Sequence, residues 1–118
     1  MAATLELTNG PASIGEGMKM ATYEVTMDTS VTSGGEVLNF TNEFTYIHAG
    51  WPAGNDTAAD NAYKYSLVLP DHDTAATSSN CKVQMHWNEA DVTTAEDFAE
   101  FTGDASSVGN LKIVIIGK

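Results

Sequence analysis

Residues 18–27 read MKMATYEVTM. Ala21, Tyr23, Val25 and Met27 fall on one side of this run, and Met20, Thr22, Glu24 and Thr26 on the other. A period of two is the signature of a strand with one face buried, so this stretch predicts a β-strand. The same period recurs downstream. YKYSLVL (63–69) sets Tyr63, Tyr65, Leu67 and Leu69 against Lys64, Ser66 and Val68. CKVQMHW (81–87) sets Cys81, Val83, Met85 and Trp87 against a wetter face of Lys82, Gln84 and His86. LKIVIIGK (111–118) alternates Leu111, Ile113 and Ile115 with Lys112, Val114 and Ile116. Both faces of that last strand are apolar, which predicts cover on both sides. FTYIHAG (44–50) and TLELT (4–8) are shorter strand candidates.

Turn chemistry separates these runs. Asp28-Thr29-Ser30 and Ser33-Gly34-Gly35 bracket one connection, Pro52 to Asp56 reads as a loop, and Pro70 to Asn80 as a long polar one. Short strands with frequent Gly, Asp and Ser turns predict an all-β fold: a single-domain antiparallel β-sandwich, jelly-roll-like. At most one short helix is expected, near 94–101, where Thr94 is a candidate cap and Asp97 follows three residues later. Residues 1–17 are expected to form an N-terminal strand or extended arm, and 18–118 the sandwich domain.

The chain has 118 residues, sixteen acidic and five basic, for a formal charge of −11. All five basic residues are lysines. That balance argues against direct binding to nucleic acid or an anionic membrane, both of which need a basic patch. It suits a protein at high concentration or facing outward on an assembly, where like charge discourages sticking. The N-terminus lacks the basic flank and apolar run of a signal peptide, and the best apolar run, IVII, is only strand-sized, so a soluble, cytoplasmically made protein is expected.

Catalytic and ligand-binding signals are thin. Cys81 is the single cysteine and alternates with apolar neighbours, so it reads as a small buried hydrophobe. His48, His72 and His86 sit beside no candidate nucleophile, and no Gly-x-Ser-x-Gly elbow occurs. Asp71-His72-Asp73 is the densest metal-like cluster, yet calcium gathers six or more oxygens in a shaped loop, and this one reads as a solvated turn. Ser33-Gly34-Gly35 invites a phosphate-cradle reading. Glu36 follows the pair, and the lysine and helix start of a phosphate loop are missing, so that reading fails. Neither an enzymatic activity nor a cofactor is expected. Trp51-Pro52, with Tyr46 before and Tyr63 after, reads either as an aromatic sugar-stacking platform or as an anchor at the sandwich edge or a subunit interface. An extended segment from Leu5 to Pro11 could add a strand to a neighbour.

The order of these pieces carries a resemblance. MKMATYEVTMD is followed by a Ser/Thr-rich step into Ser-Gly-Gly-Glu-Val-Leu (33–38), a short aromatic strand, a Gly-Trp-Pro-Ala-Gly turn, the YKYSLVL strand and a closing strand ending Ile-Ile-Gly-Lys. From about Met18 to the end, this resembles small virion structural proteins of tailed bacteriophages, marine and cyanophage-like ones above all. Residues 71–80 and 88–104 follow no part of that pattern. The resemblance implies a capsid decoration (cement) protein on the outside of the head, made in the host cytoplasm. Its partners would be the major capsid protein and further copies of itself, with a trimer favoured. The expected capsid or subunit interface comprises Leu5, Leu7, Trp51, Pro52, Val114 and Ile116. A tail or fibre module of a virion, or a carbohydrate-binding β-sandwich module, are the alternatives.

Overall fold

A computed structural model describes residues 3–27, 31–55, 63–88, 98–100, 105 and 110–118. The described residues are all-β. In chain order they form β1 (Thr4–Gly15), β2 (Met18–Thr26), β3 (Glu36–Val37), β4 (Ile47–Asn55), β5 (Tyr63–Val68), β6 (Lys82–Asn88), β7 (Phe98–Glu100) and β8 (Leu111–Gly117). Two antiparallel sheets face each other. The first, sheet B, has the order β1-β2-β8-β4, and the second, sheet A, has β3-β6-β5 with β7 also on β6. The chain crosses repeatedly between the sheets before β8 returns to lie between β2 and β4, a jelly-roll-like course.

The period-two faces land as their chemistry requires. Ala21, Tyr23 and Val25 of β2, Val83 and Met85 of β6, and Leu111, Ile113 and Ile115 of β8 are buried between the sheets. The connection after β3 completes this core with Leu38, Phe40 and Phe44. The Phe40 ring meets Tyr23 edge to face at 5.1 Å between centroids, a preferred aromatic geometry.

Three expectations change. The expected loop at Pro52 to Asp56 is strand as far as Asn55, because β4 runs straight through Trp51-Pro52. It does so at the edge of sheet B, where a proline removes no ladder bond, and register shifts near His48 and Ala53 absorb the irregularity. The N-terminal strand is longer than TLELT and pairs with β2 out to Gly15, with three register shifts on the way. Of the short helix expected near 94–101, residues 98–100 are instead strand, paired with His86–Asn88. Three residues make too short a helix to stand alone, whereas backbone pairing to β6 satisfies them directly. The rest of that expected helix lies outside the described residues.

The Gly-Gly-Glu step is a tight turn. The Gly35 amide donates to the Thr32 carbonyl at 3.1 Å, and Gly34 has the positive φ of 90° that a type II turn needs at its third position. The Gly34 amide donates to the Glu100 carboxylate at 2.7 Å, so a donor that a phosphate would need is already engaged. Glu36 is fully buried, and its Oε1 accepts from the Thr32 amide at 3.0 Å. At Gly35 two demands coincide: φ is 105°, and an added Cβ would lie 2.7 Å from the Val83 carbonyl oxygen. At Gly34 nothing lies within 4 Å of such a Cβ.

Gly34→Ala is therefore expected to cost about 1–2 kcal/mol from the backbone conformation alone. Gly35→Ala should cost more, because the turn must also move off β6. Urea unfolding of both variants checks this, and equal losses would contradict the close approach to Val83.

Candidate functional site

The outer face of sheet B is built by register. Residues directly opposite one another in neighbouring strands share a face. Met20 pairs with Ala12 of β1 and Ile116 of β8, and Ile116 with Ala49 of β4, which makes one rung across four strands. The next rung is Asn9, Thr22, Val114 and Trp51, and the one after it Glu6, Glu24, Lys112 and Gly54. The first two rungs thus place Met20, Ile116, Val114 and Trp51 together, across three strands and about 10 Å of sheet. Met20 is 38% and Trp51 44% exposed, and Val114 and Ile116 are partly exposed. The third rung ends the apolar area with charge, and Glu24 there accepts a hydrogen bond from the Asn110 amide group at 2.5 Å. A shallow cleft of about 340 Å³ runs between these zones, lined in part by Thr8, Thr22, Ala53, Lys112 and Val114.

The six expected interface residues separate. Trp51, Val114 and Ile116 meet on this outer face, joined by Met20. The sequence placed Met20 on the wet side of its strand, and its being a large apolar residue there, as Met18 is, is the signal that marks it. Pro52 pairs with buried Ile113 and so belongs to the inner side of β4. Leu5 and Leu7 pair with Val25 and Tyr23, both buried, so they point inward as well. The expected cover on both faces of LKIVIIG is met on the inner face only: sheet A covers Leu111, Ile113 and Ile115, and among the described residues the other face stays open.

Of the aromatic residues, Trp51 lies in sheet B opposite Val114, Tyr46 precedes β4, and Tyr63 begins β5 of the other sheet, its side chain outside the described residues. Asp71-His72-Asp73 is an exposed turn in which the Thr74 amide donates to the Asp71 carbonyl at 2.9 Å. Among the described residues, no group of three or more His, Cys, Asp or Glu is placed to hold a metal ion, and no helix is long and apolar enough to cross a membrane.

Two buried acids report on the core beneath the face. Burial pushes the Cys81 thiol up to about 11. The Tyr23 hydroxyl is also pushed well above its ordinary value, chiefly by burial, then by the charge of Glu43 and by the hydrogen bond it donates to that carboxylate at 3.1 Å. In the unfolded chain a cysteine ionises near about 8.5 and a tyrosine near about 10. Above those values the unfolded state holds fewer protons than the folded one, so stability is full below them and falls as pH rises.

The melting temperature is accordingly expected to drop between pH 9 and 11, the cysteine contributing first and the tyrosine later. Thermal scans across that range check it. Cys81→Ala should flatten the early part of the fall and Tyr23→Phe the later part; a flat profile in the parent protein would contradict the burial of both groups.

Compared with family models, curated proteins and solved structures, the chain finds no match.

Proposed function

We propose that this chain is a non-enzymatic virion structural protein, a decoration protein that lays the outer face of sheet B on the major capsid protein and stabilises the head. The observation that carries this reading is the open apolar area of Met20, Trp51, Val114 and Ile116 on a chain whose formal charge is −11. A single exposed hydrophobic residue is ordinary, but a contiguous group on one face of a sheet marks a docking surface. Tryptophan is enriched among the residues that dominate such contacts. The charge serves the remainder of the surface, keeping a high-copy protein soluble and apart from its neighbours except where it docks. The resemblance of its order of motifs to that of tailed-phage structural proteins supports the class of assembly. Attachment as a trimer fits a shell position of threefold symmetry, where each copy offers the same face.

Co-sedimentation with purified empty heads tests the reading. Binding should saturate at a fixed stoichiometry per capsid protein. Trp51→Ala is expected to cost about 2 kcal/mol, roughly thirtyfold in Kd, and Val114→Lys to abolish binding while circular dichroism stays unchanged. Variants that bind as the parent does would overturn the proposed face. Binding to tails and not to heads would move the protein elsewhere on the virion.

A further inference from the structure

The two sheets differ in width. Among the described residues sheet B is four strands wide, whereas sheet A is three, β3 and β7 sharing one side of β6. At the β4 edge the sheets are closely stacked, since a Cβ added to Gly50 would lie 3.2 Å from Cδ1 of Leu67 on β5. The shortfall therefore falls at the other edge, beneath β1. A cleft of about 410 Å³ occupies that place, within the range of built ligand pockets. Leu5 and Leu7 line it from β1 and Val37 from β3, with Asn39, Glu43 and Tyr23 also on its surface. Leu7 points inward opposite buried Tyr23, yet it is 41% exposed. It faces the core side and lacks its cover.

The backbone on the far side of the cleft is also set up for a partner. The Leu38 amide donates to the Cys81 carbonyl at 2.8 Å. Bonding residues alternate along an antiparallel strand, so Val37, opposite Lys82, turns its own amide and carbonyl away from β6. They point to the open side of sheet A, where a fourth strand would lie. Strands sit about 4.8 Å apart, so the position left open among the described residues is one strand wide.

The geometry points to an extended segment of a partner protein as the occupant, laid as a strand beside Val37 with apolar side chains under Leu5 and Leu7 and a basic side chain toward Glu43. Charge selects the basic partner. Among the described residues lining the cleft Glu43 is the one acidic side chain, and none is a lysine. A second copy of this chain brings the same −11 charge and is repelled, whereas a basic strand is attracted and held in register. Main-chain bonds supply affinity in such strand addition and the alternate side-chain pockets supply selectivity. This differs from pairing along the outer edge of β1, which three register shifts and Pro11 interrupt. It does not depend on the capsid reading, since the partner is defined by chemistry and not by assembly.

Amide-resolved NMR titration tests it with two blocked heptapeptides, Thr-Val-Lys-Val-Lys-Val-Thr and the same sequence with glutamate for lysine. The lysine peptide should give saturable shifts at Ala3–Leu7 and Val37–Glu43. The glutamate peptide should bind at least about tenfold more weakly at low salt. Leu7→Lys, at a position already exposed, should abolish binding of the lysine peptide, and Glu43→Gln should narrow the preference for lysine while keeping a partner for the Tyr23 hydroxyl. No saturable shift by about 1 mM peptide, shifts centred on Trp51 and Val114, or equal binding of the two peptides would each overturn the inference.

Discussion

The fold depends on β8 being held between β2 and β4. Leu111, Ile113 and Ile115 are essentially inaccessible there, and each fully buried side chain of this kind is worth about 1.5–3 kcal/mol. Pairing on both sides also satisfies the strand's backbone, and the end of the chain is tied in further. The Thr45 and Tyr46 amides donate to the Lys118 carbonyl at 2.7 and 3.0 Å, and the Lys118 amide donates back to Tyr46 at 2.8 Å. Tyr23 meets Ile113 across ninety residues of chain, so sheet B closes only once this distant strand arrives. Contacts of that range are slow to form, because loop closure precedes any gain from packing.

Both candidate surfaces follow from what β8 and its sheet leave unfinished. One face of β8 is sealed by sheet A, and the other shows Val114 and Ile116 between Met20 and Trp51. The unequal widths of the sheets leave β1 overhanging, which opens the cleft beneath Leu5 and Leu7. The Gly34-Gly35 turn works on the opposite side of the balance. Its amide is engaged by Glu100 and Glu36 is drawn inside, so the motif that looks most like a ligand loop is a structural joint. Chemistry-like motifs and binding surfaces are separate here.

Much of this architecture was legible in the sequence. The alternation in 18–27, 63–69, 81–87 and 111–118 identified β2, β5, β6 and β8, with Tyr23, Val25, Val83, Met85, Ile113 and Ile115 among the inward residues, because strands buried on one face write their orientation into a period of two. FTYIHAG (44–50) marked the start of β4, and its second half was hidden by Trp51-Pro52-Ala53-Gly54-Asn55, whose composition is that of a turn; an edge strand with two irregular points tolerates it. The core contributions of Leu38, Phe40 and Phe44 were hidden too, since irregular segments have no period. Of the site, Trp51, Val114 and Ile116 were legible as exposed or two-faced apolar residues. That they share a face with Met20, and that Leu5, Leu7 and Pro52 do not, depends on which strand pairs with which. Register between distant strands leaves no local trace, so only the folded structure could sort them.

The central claim is that the outer face of sheet B is the surface the molecule uses. Carbene footprinting of the free protein and of the protein bound to purified heads, read residue by residue by mass spectrometry, addresses it most directly. Labelling of Met20, Trp51, Val114 and Ile116 should fall on binding, while Val68, exposed on the other sheet, keeps its label. Undiminished labelling of those four residues on the bound protein, with protection of Val68 in their place, would contradict the claim.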